Sequence, residues 1–92
     1  MPRSISYDEY LIESLRDPKE AEAYLNAALD EEDSRVFLLA LRDVAEARGG
    51  RKVIRENLAR MLSRKGGPSL QSLGALLSSL GFRLSVEARN AA

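Results

Sequence analysis

Apolar residues recur along this chain mostly at helical spacing, and the breaks between the recurring stretches fall on proline, glycine or capping residues. Residues 1–6 show no period and read as a loose arm. Tyr7, Leu11, Ile12 and Leu15 share one face of a short amphipathic helix. Asp17-Pro18-Lys19-Glu20 is a start signal. Asp17 can cap, Pro18 suits the first helical position, and Glu20 can reach back to the cap. The helix that follows carries Ala21, Leu25, Ala28 and Leu29 in one stripe, with Tyr24 at its edge. After Asp30-Glu31-Glu32-Asp33, either Asp33 or Ser34 can cap a helix over 34–48 that buries Phe37, Leu38, Leu41, Val44 and Ala45. Gly49-Gly50 ends it, because glycine takes the left-handed turn after a helix most easily.

The second half is built differently. Arg51 to Lys65 reads as a basic helix with Ile54, Leu58, Met61 and Leu62 as its apolar stripe. Arg51, Lys52, Arg55, Asn57, Arg60, Arg64 and Lys65 lie largely off that stripe. Gly66-Gly67 closes the helix and Pro68 prevents its continuation. Ser69 is placed to cap a last helix over 70–80, whose core face is Leu70, Leu73, Leu76, Leu77 and Leu80. Gly74 lies mid-helix, where it serves either a close approach or nothing. After Gly81, Phe82, Leu84 and Val86 alternate with Arg83, Ser85 and Glu87, a period-two strand with one apolar face. A lone strand leaves its backbone groups unpaired. The expectation is therefore pairing with a second copy or with another protein, so Phe82, Leu84 and Val86 are the expected dimer contacts. The alternative is an extended tail lying on the helices.

The chain has 92 residues, 45% hydrophobic and 30% charged, with three tyrosines, two phenylalanines and no tryptophan. Leucine and alanine thus supply most apolar surface, which suits helices packed on helices. The expectation is one all-α domain over 1–92, a bundle of about five helices with a C-terminal strand. Within it, 7–48 form an acidic helical scaffold, 51–80 a basic recognition-type helix with its packing helix, and 82–87 the strand. Cysteine and histidine are absent, which removes disulfides, thiol chemistry and the commonest acid–base group at neutral pH. No phosphate-binding or calcium loop occurs. An enzyme is not expected, nor a cofactor or metal. The acidic run over 30–33 has the charge to hold a cation or a basic partner, but reads first as a solvated junction. No apolar run reaches the roughly 20 residues of a membrane span, and the segment MPRSISYDEY lacks the apolar core of a signal peptide. The chain is expected to be cytoplasmic, without a membrane partner.

Formal charge is zero, yet the halves differ: residues 1–45 carry five basic against eleven acidic residues (−6), and residues 46–92 carry nine against three (+6). Such asymmetry points to a basic end that meets nucleic acid or another anion. The alternative is that the halves attract each other. Clustering of the basic residues on one short helix favours the first reading.

Several stretches, in order and at familiar spacing, carry a resemblance. They are Asp17-Pro18, Ala23-Tyr24-Leu25-Asn26-Ala27-Ala28-Leu29, Leu38-Leu39-Ala40-Leu41-Arg42-Asp43-Val44-Ala45 and Ala47-Arg48-Gly49, then Arg55-Glu56-Asn57-Leu58, Met61-Leu62-Ser63, Gly66 with Pro68, Ser72-Leu73, Leu80-Gly81 and Arg83-Leu84-Ser85-Val86. Together, from about Tyr7 to Val86, the chain resembles the probable addiction-module antidote proteins, antitoxins with a lambda-repressor/Cro-like helix-turn-helix. The resemblance implies a DNA-binding regulator that represses its own operon as a homodimer and neutralises a RelE-like toxin. It also implies that Arg55, Glu56, Asn57 and Arg60 face bases and phosphates, flanked by Arg51, Lys52, Arg64 and Lys65. The chemistry agrees: arginine grips guanine, asparagine grips adenine, and flanking cations suit phosphates.

One departure bears on this. Family members carry about seven more residues, roughly two helical turns, between the glycine pair and the recognition helix. Here Gly49-Gly50 leads almost directly into Arg51-Lys52-Val53-Ile54, so the first helix of the helix-turn-helix is missing from the pattern. That helix normally crosses the DNA backbone and sets how the second enters the groove. Ala59 also stands where many members have an aromatic residue. The second expectation is therefore a toxin-binding interaction module that has lost operator binding, with the acidic helices over 7–29 as its working surface.

Overall fold

The computed structural model describes residues 7–48, 58–61, 63, 65 and 67–89. Its helices are α1 (Tyr7–Ser14), α2 (Pro18–Asp30), α3 (Ser34–Ala47) and α4 (Leu70–Ser79), with a further helical stretch at 58–61 and 63. The all-helical expectation agrees with this. The arm over 1–6, the Gly49-Gly50 stop and Gly66 lie outside the described residues.

The starts of α2, α3 and α4 each follow from a side chain that replaces a missing intrahelical acceptor. Asp17 Oδ1 accepts the Lys19 N–H at 2.9 Å, with Pro18 in the first turn. Asp33, and not Ser34, caps α3, its Oδ1 accepting the Arg35 N–H at 2.9 Å. Ser69 Oγ accepts the Ser72 N–H at 3.0 Å at the start of α4. The bond from the Arg35 N–H holds the Asp33 carboxyl below the usual carboxylate range. The cap is therefore strongest above that range and weakens as pH falls through it. The acidic run is the α2–α3 junction that its charge suggests. Glu32 there holds φ at 59°, a left-handed turn that costs an L residue roughly 1 kcal/mol.

The core is assembled on α3. Phe37, Leu38, Ala40, Leu41, Val44, Ala45 and Ala47 are all buried, with Leu41, Val44 and Ala45 wholly so. Ala21, Leu25 and Ala28 of α2 pack into the same cluster, as do Leu15, Leu58, Met61, Leu76, Leu77 and Leu80. The small residues Ala21 and Ala45, both sealed from solvent, fit helices at close approach. Three residues predicted for core stripes are exposed instead: Tyr7, Leu29 and Leu70. Each occupies the first or last turn of its helix, where the neighbouring helices no longer cover it.

The C-terminal strand is not formed: residues 82–89 carry no regular secondary structure, and no strand occurs among the described residues. The reason lies in how α4 stops. Gly81 takes φ 95°, the Phe82 N–H donates to Leu77 O at 2.8 Å and the Gly81 N–H donates to Ser78 O at 3.1 Å. This pair of bonds is a Schellman cap, and it turns the chain back along α4. Phe82 then packs half-buried against the core, and Leu84 Cδ1 lies 3.8 Å from where a Cβ on Gly74 would stand. Phe82 and Leu84 thus lie against their own chain's helices, the tail alternative stated above, and Val86 is left 98% exposed.

The two glycines should respond in opposite directions. Gly81→Ala forces a left-handed alanine whose Cβ would lie 3.5 Å from Arg48 Nη2, and should lower stability by about 1–2 kcal/mol. Gly74→Ala meets only ordinary contact with Leu84 and should raise it by about 1 kcal/mol. Thermal melts followed by circular dichroism read both, at roughly 4–8 °C per kcal/mol.

Candidate functional site

Of the expected DNA-facing residues, Arg60 and Lys65 are described and both are exposed. Arg51, Lys52, Arg55, Glu56, Asn57 and Arg64 lie outside the described residues, as do Ile54 and Leu62 of the apolar stripe. What fixes the orientation of this segment is its buried side. Leu58 is 1% exposed and Met61 is buried beside it in the core. At about 100° per residue, Arg60 then stands well over a right angle from the line between Leu58 and Met61. Ser63 Oγ donates to Arg60 O at 3.1 Å, one turn on. Arg60, Ser63 and Lys65 are exposed.

The opposite electrostatic feature is formed by α1 and the C-terminal part of α3. A cleft of about 470 Å³ is lined by Asp8, Glu9, Ile12, Glu13, Arg16 and Glu46. Arg16 Nη1 pairs with Glu13 Oε1 at 3.6 Å, both side chains largely in water, where such a pair contributes little. Among the described residues no group of acids is placed to hold a metal ion.

Between the helices, Tyr24 Oη donates to Asp43 Oδ2 at 2.8 Å, joining α2 to α3. Burial, and then the bond and charge of Asp43, push the Tyr24 phenol up to about 12. Asp43 also lies 3.8 Å from Arg42 Nη2.

The residue that sequence reasoning missed is Arg48. Its N–H closes α3 on Val44 O at 2.9 Å. Its guanidinium then reaches two other chain segments, donating from Nε to Leu80 O at 3.1 Å and from Nη1 to Arg16 O at 3.0 Å. It also lies over the Phe82 ring, 5.2 Å from the centroid. Leu80 O belongs to the carbonyl end of α4, where the helix has no further N–H of its own to offer and a cation is favoured by dipole and by geometry. A signal was available: an arginine directly after the last apolar position of a helix, before a glycine pair. The expected dimer contacts divide accordingly. Phe82 is engaged by Arg48 of its own chain, while Leu84 and Val86 are exposed.

Residues 6–88 match the family described as probable addiction module antidote protein. The chain belongs to that family. No curated protein and no solved structure matches it significantly. Membership in the antidote family carries an antitoxin role within a toxin–antitoxin system, with a cognate toxin as partner. Among the described residues no helix is long and apolar enough to cross a membrane.

Two outcomes test these contacts. Arg48→Ala removes two charged hydrogen bonds and the stacking on Phe82, and urea unfolding should report a loss of about 2 kcal/mol or more. Arg48→Lys should recover only part of it, since an ammonium cannot span both carbonyls. For Tyr24 the folded phenol titrates above its ordinary value, so its contribution is complete below about pH 10 and is lost as pH rises through about 12. Wild type should therefore lose stability between these values more steeply than Tyr24→Phe, read by urea midpoints at pH 8 and pH 11.

Proposed function

We propose that this antidote-family chain is a DNA-binding transcriptional regulator of the antitoxin type, which binds operator DNA as a homodimer and neutralises a RelE-like toxin. The observation that carries the DNA-binding reading is the placement of Leu58 and Met61 in the core with Arg60 and Lys65 in water. A helix anchored in this way turns its cationic side outward, where a phosphate backbone can reach it. Arg51, Lys52, Arg55, Glu56, Asn57 and Arg64 complete the assigned surface. Leu84 and Val86 are assigned to the dimer contact as exposed side chains set against a second copy, with Phe82 beside them in the sequence.

A second reading is favoured by chain length. Only residues 49–57 lie between the Arg48 cap and the buried Leu58. Nine residues leave little room for a separate first helix, a turn and the start of a recognition helix. In that reading the chain is a toxin-binding interaction module that has lost operator binding.

A mobility-shift assay with the DNA upstream of its own gene separates the two. The regulator should retard it, with log affinity falling against log salt at a slope of about −7, for some four phosphate contacts per chain in a dimer. Arg55→Glu with Arg60→Glu should abolish the shift. No retardation at low salt, with the toxin present, removes the regulator and leaves the interaction module.

A further inference from the structure

We propose that the outward face of α1, formed by Tyr7, Glu9, Tyr10 and Glu13, receives the cognate toxin through an arginine- or lysine-bearing segment of that protein. This rests on the antitoxin role and adds to it the docking surface and the chemistry of the segment that docks.

The starting observation is that α1 buries none of its residues. It is held to the molecule by Leu11 and Ile12, which pack half-buried against the core, and by Leu15 just beyond its end. At about 100° per residue, Glu9, Glu13 and Tyr10 follow one another around the arc opposite those anchors, and Tyr7, one turn before Leu11, stands exposed at its edge. Tyr7 and Tyr10 are 73% and 64% exposed, so two of the three tyrosines in the chain face outward from one eight-residue helix. Tyrosine offers a broad apolar face at low entropic cost and is enriched where interfaces concentrate their binding energy.

Charge decides what can cover this face. Glu9 and Glu13 lie on the flank shared with Asp8, Glu46 and Arg16. Residues 1–45 carry the −6 balance of the chain. An arginine or lysine finds there both a carboxylate to pair with and a ring face to lie on. DNA is repelled by the same charges. A second copy is disfavoured as well, because a two-fold contact would bring together two copies of the same acidic face. The other exposed apolar side chains of the scaffold, Leu29, Val36 and Leu39, serve as an internal comparison on α2 and α3.

The test is a calorimetric titration of the full-length chain with the toxin encoded beside it. Tyr7→Ala/Tyr10→Ala and Glu9→Gln/Glu13→Gln should each weaken binding roughly ten-fold or more, and only the glutamine pair should flatten its salt dependence. Val36→Ala/Leu39→Ala should bind as wild type does. Should the alanine pair at Tyr7 and Tyr10 lose its helical circular dichroism signal, the glutamine pair, which removes charge alone, decides. Wild-type affinity in the glutamine pair, or a loss confined to Val36→Ala/Leu39→Ala, overturns the assignment while the antitoxin role stands. A homodimer that the Tyr7/Tyr10 pair dissociates also overturns it, since a second copy then holds the face. A wild-type chain that gives no heat with the toxin removes the antitoxin role itself.

Discussion

The guanidinium of Arg48 is the constraint on which the arrangement of this small bundle rests. One planar group, at the end of α3, donates to the carbonyl of Arg16 beyond α1 and to that of Leu80 at the end of α4, and covers the ring of Phe82. Leucine and alanine packing is non-directional and tolerates sliding. Fixed hydrogen bonds to two distant carbonyls do not. Those carbonyls would otherwise need water or another partner, since both lie where a helix has run out of its own donors. The turn at Gly81 belongs to the same arrangement, since the Schellman cap delivers Phe82 to the face of the guanidinium. Arg48 therefore converts an apolar cluster into a particular angle between α3, the α1–α2 junction and α4.

Where a local signal and a local cause coincide, the sequence was readable. Asp17, Asp33 and Ser69 cap because a short acceptor precedes each apolar period, and that rule involves no distant residue. The α3 stripe was legible because a central helix is covered on most sides. Leu29 and Leu70 were misplaced because periodicity states which face a residue shares but not where the neighbouring helix ends. The alternation of Phe82, Leu84 and Val86 failed for a different reason. A period of two describes any extended segment with one covered side, and here the cover is α4 and Arg48 instead of a strand.

The candidate interface shows the same division. Periodicity places Leu58 and Met61 inside, and their burial follows, so the outward direction of Arg60 was derivable from spacing alone. How a groove-binding helix would be aimed was not, because aim depends on the element before it. Arg48 sets that element's end in a defined place, and the nine residues that follow must reach Leu58. The closer a recognition-type helix is tied to the core at its start, the less a separate positioning helix can contribute to its angle. Its own anchor residues must then supply the angle. Leu58 and Met61, one turn apart on the same side, hold the rotation of the helix about its axis but resist tilt only weakly.

The ion pairs seen in the acidic half, Glu13–Arg16, Asp33–Arg35 and Arg42–Asp43, join near neighbours at 3.6–3.8 Å on exposed or partly exposed surface. Pairs of that kind contribute little to folding. A fold that needs those charges only weakly for stability carries them at some cost in self-repulsion. That cost falls when a cation covers them, and an antitoxin meets its toxin as a separate molecule. Opposite charge on the two halves then has a simple physical consequence. On the two proposed readings, a polyanion is directed to Arg60 and Lys65 and turned away from α1, while a cationic protein is directed to α1 and turned away from the basic segment. Two partners of opposite sign can be held by one 92-residue chain without competing for the same surface.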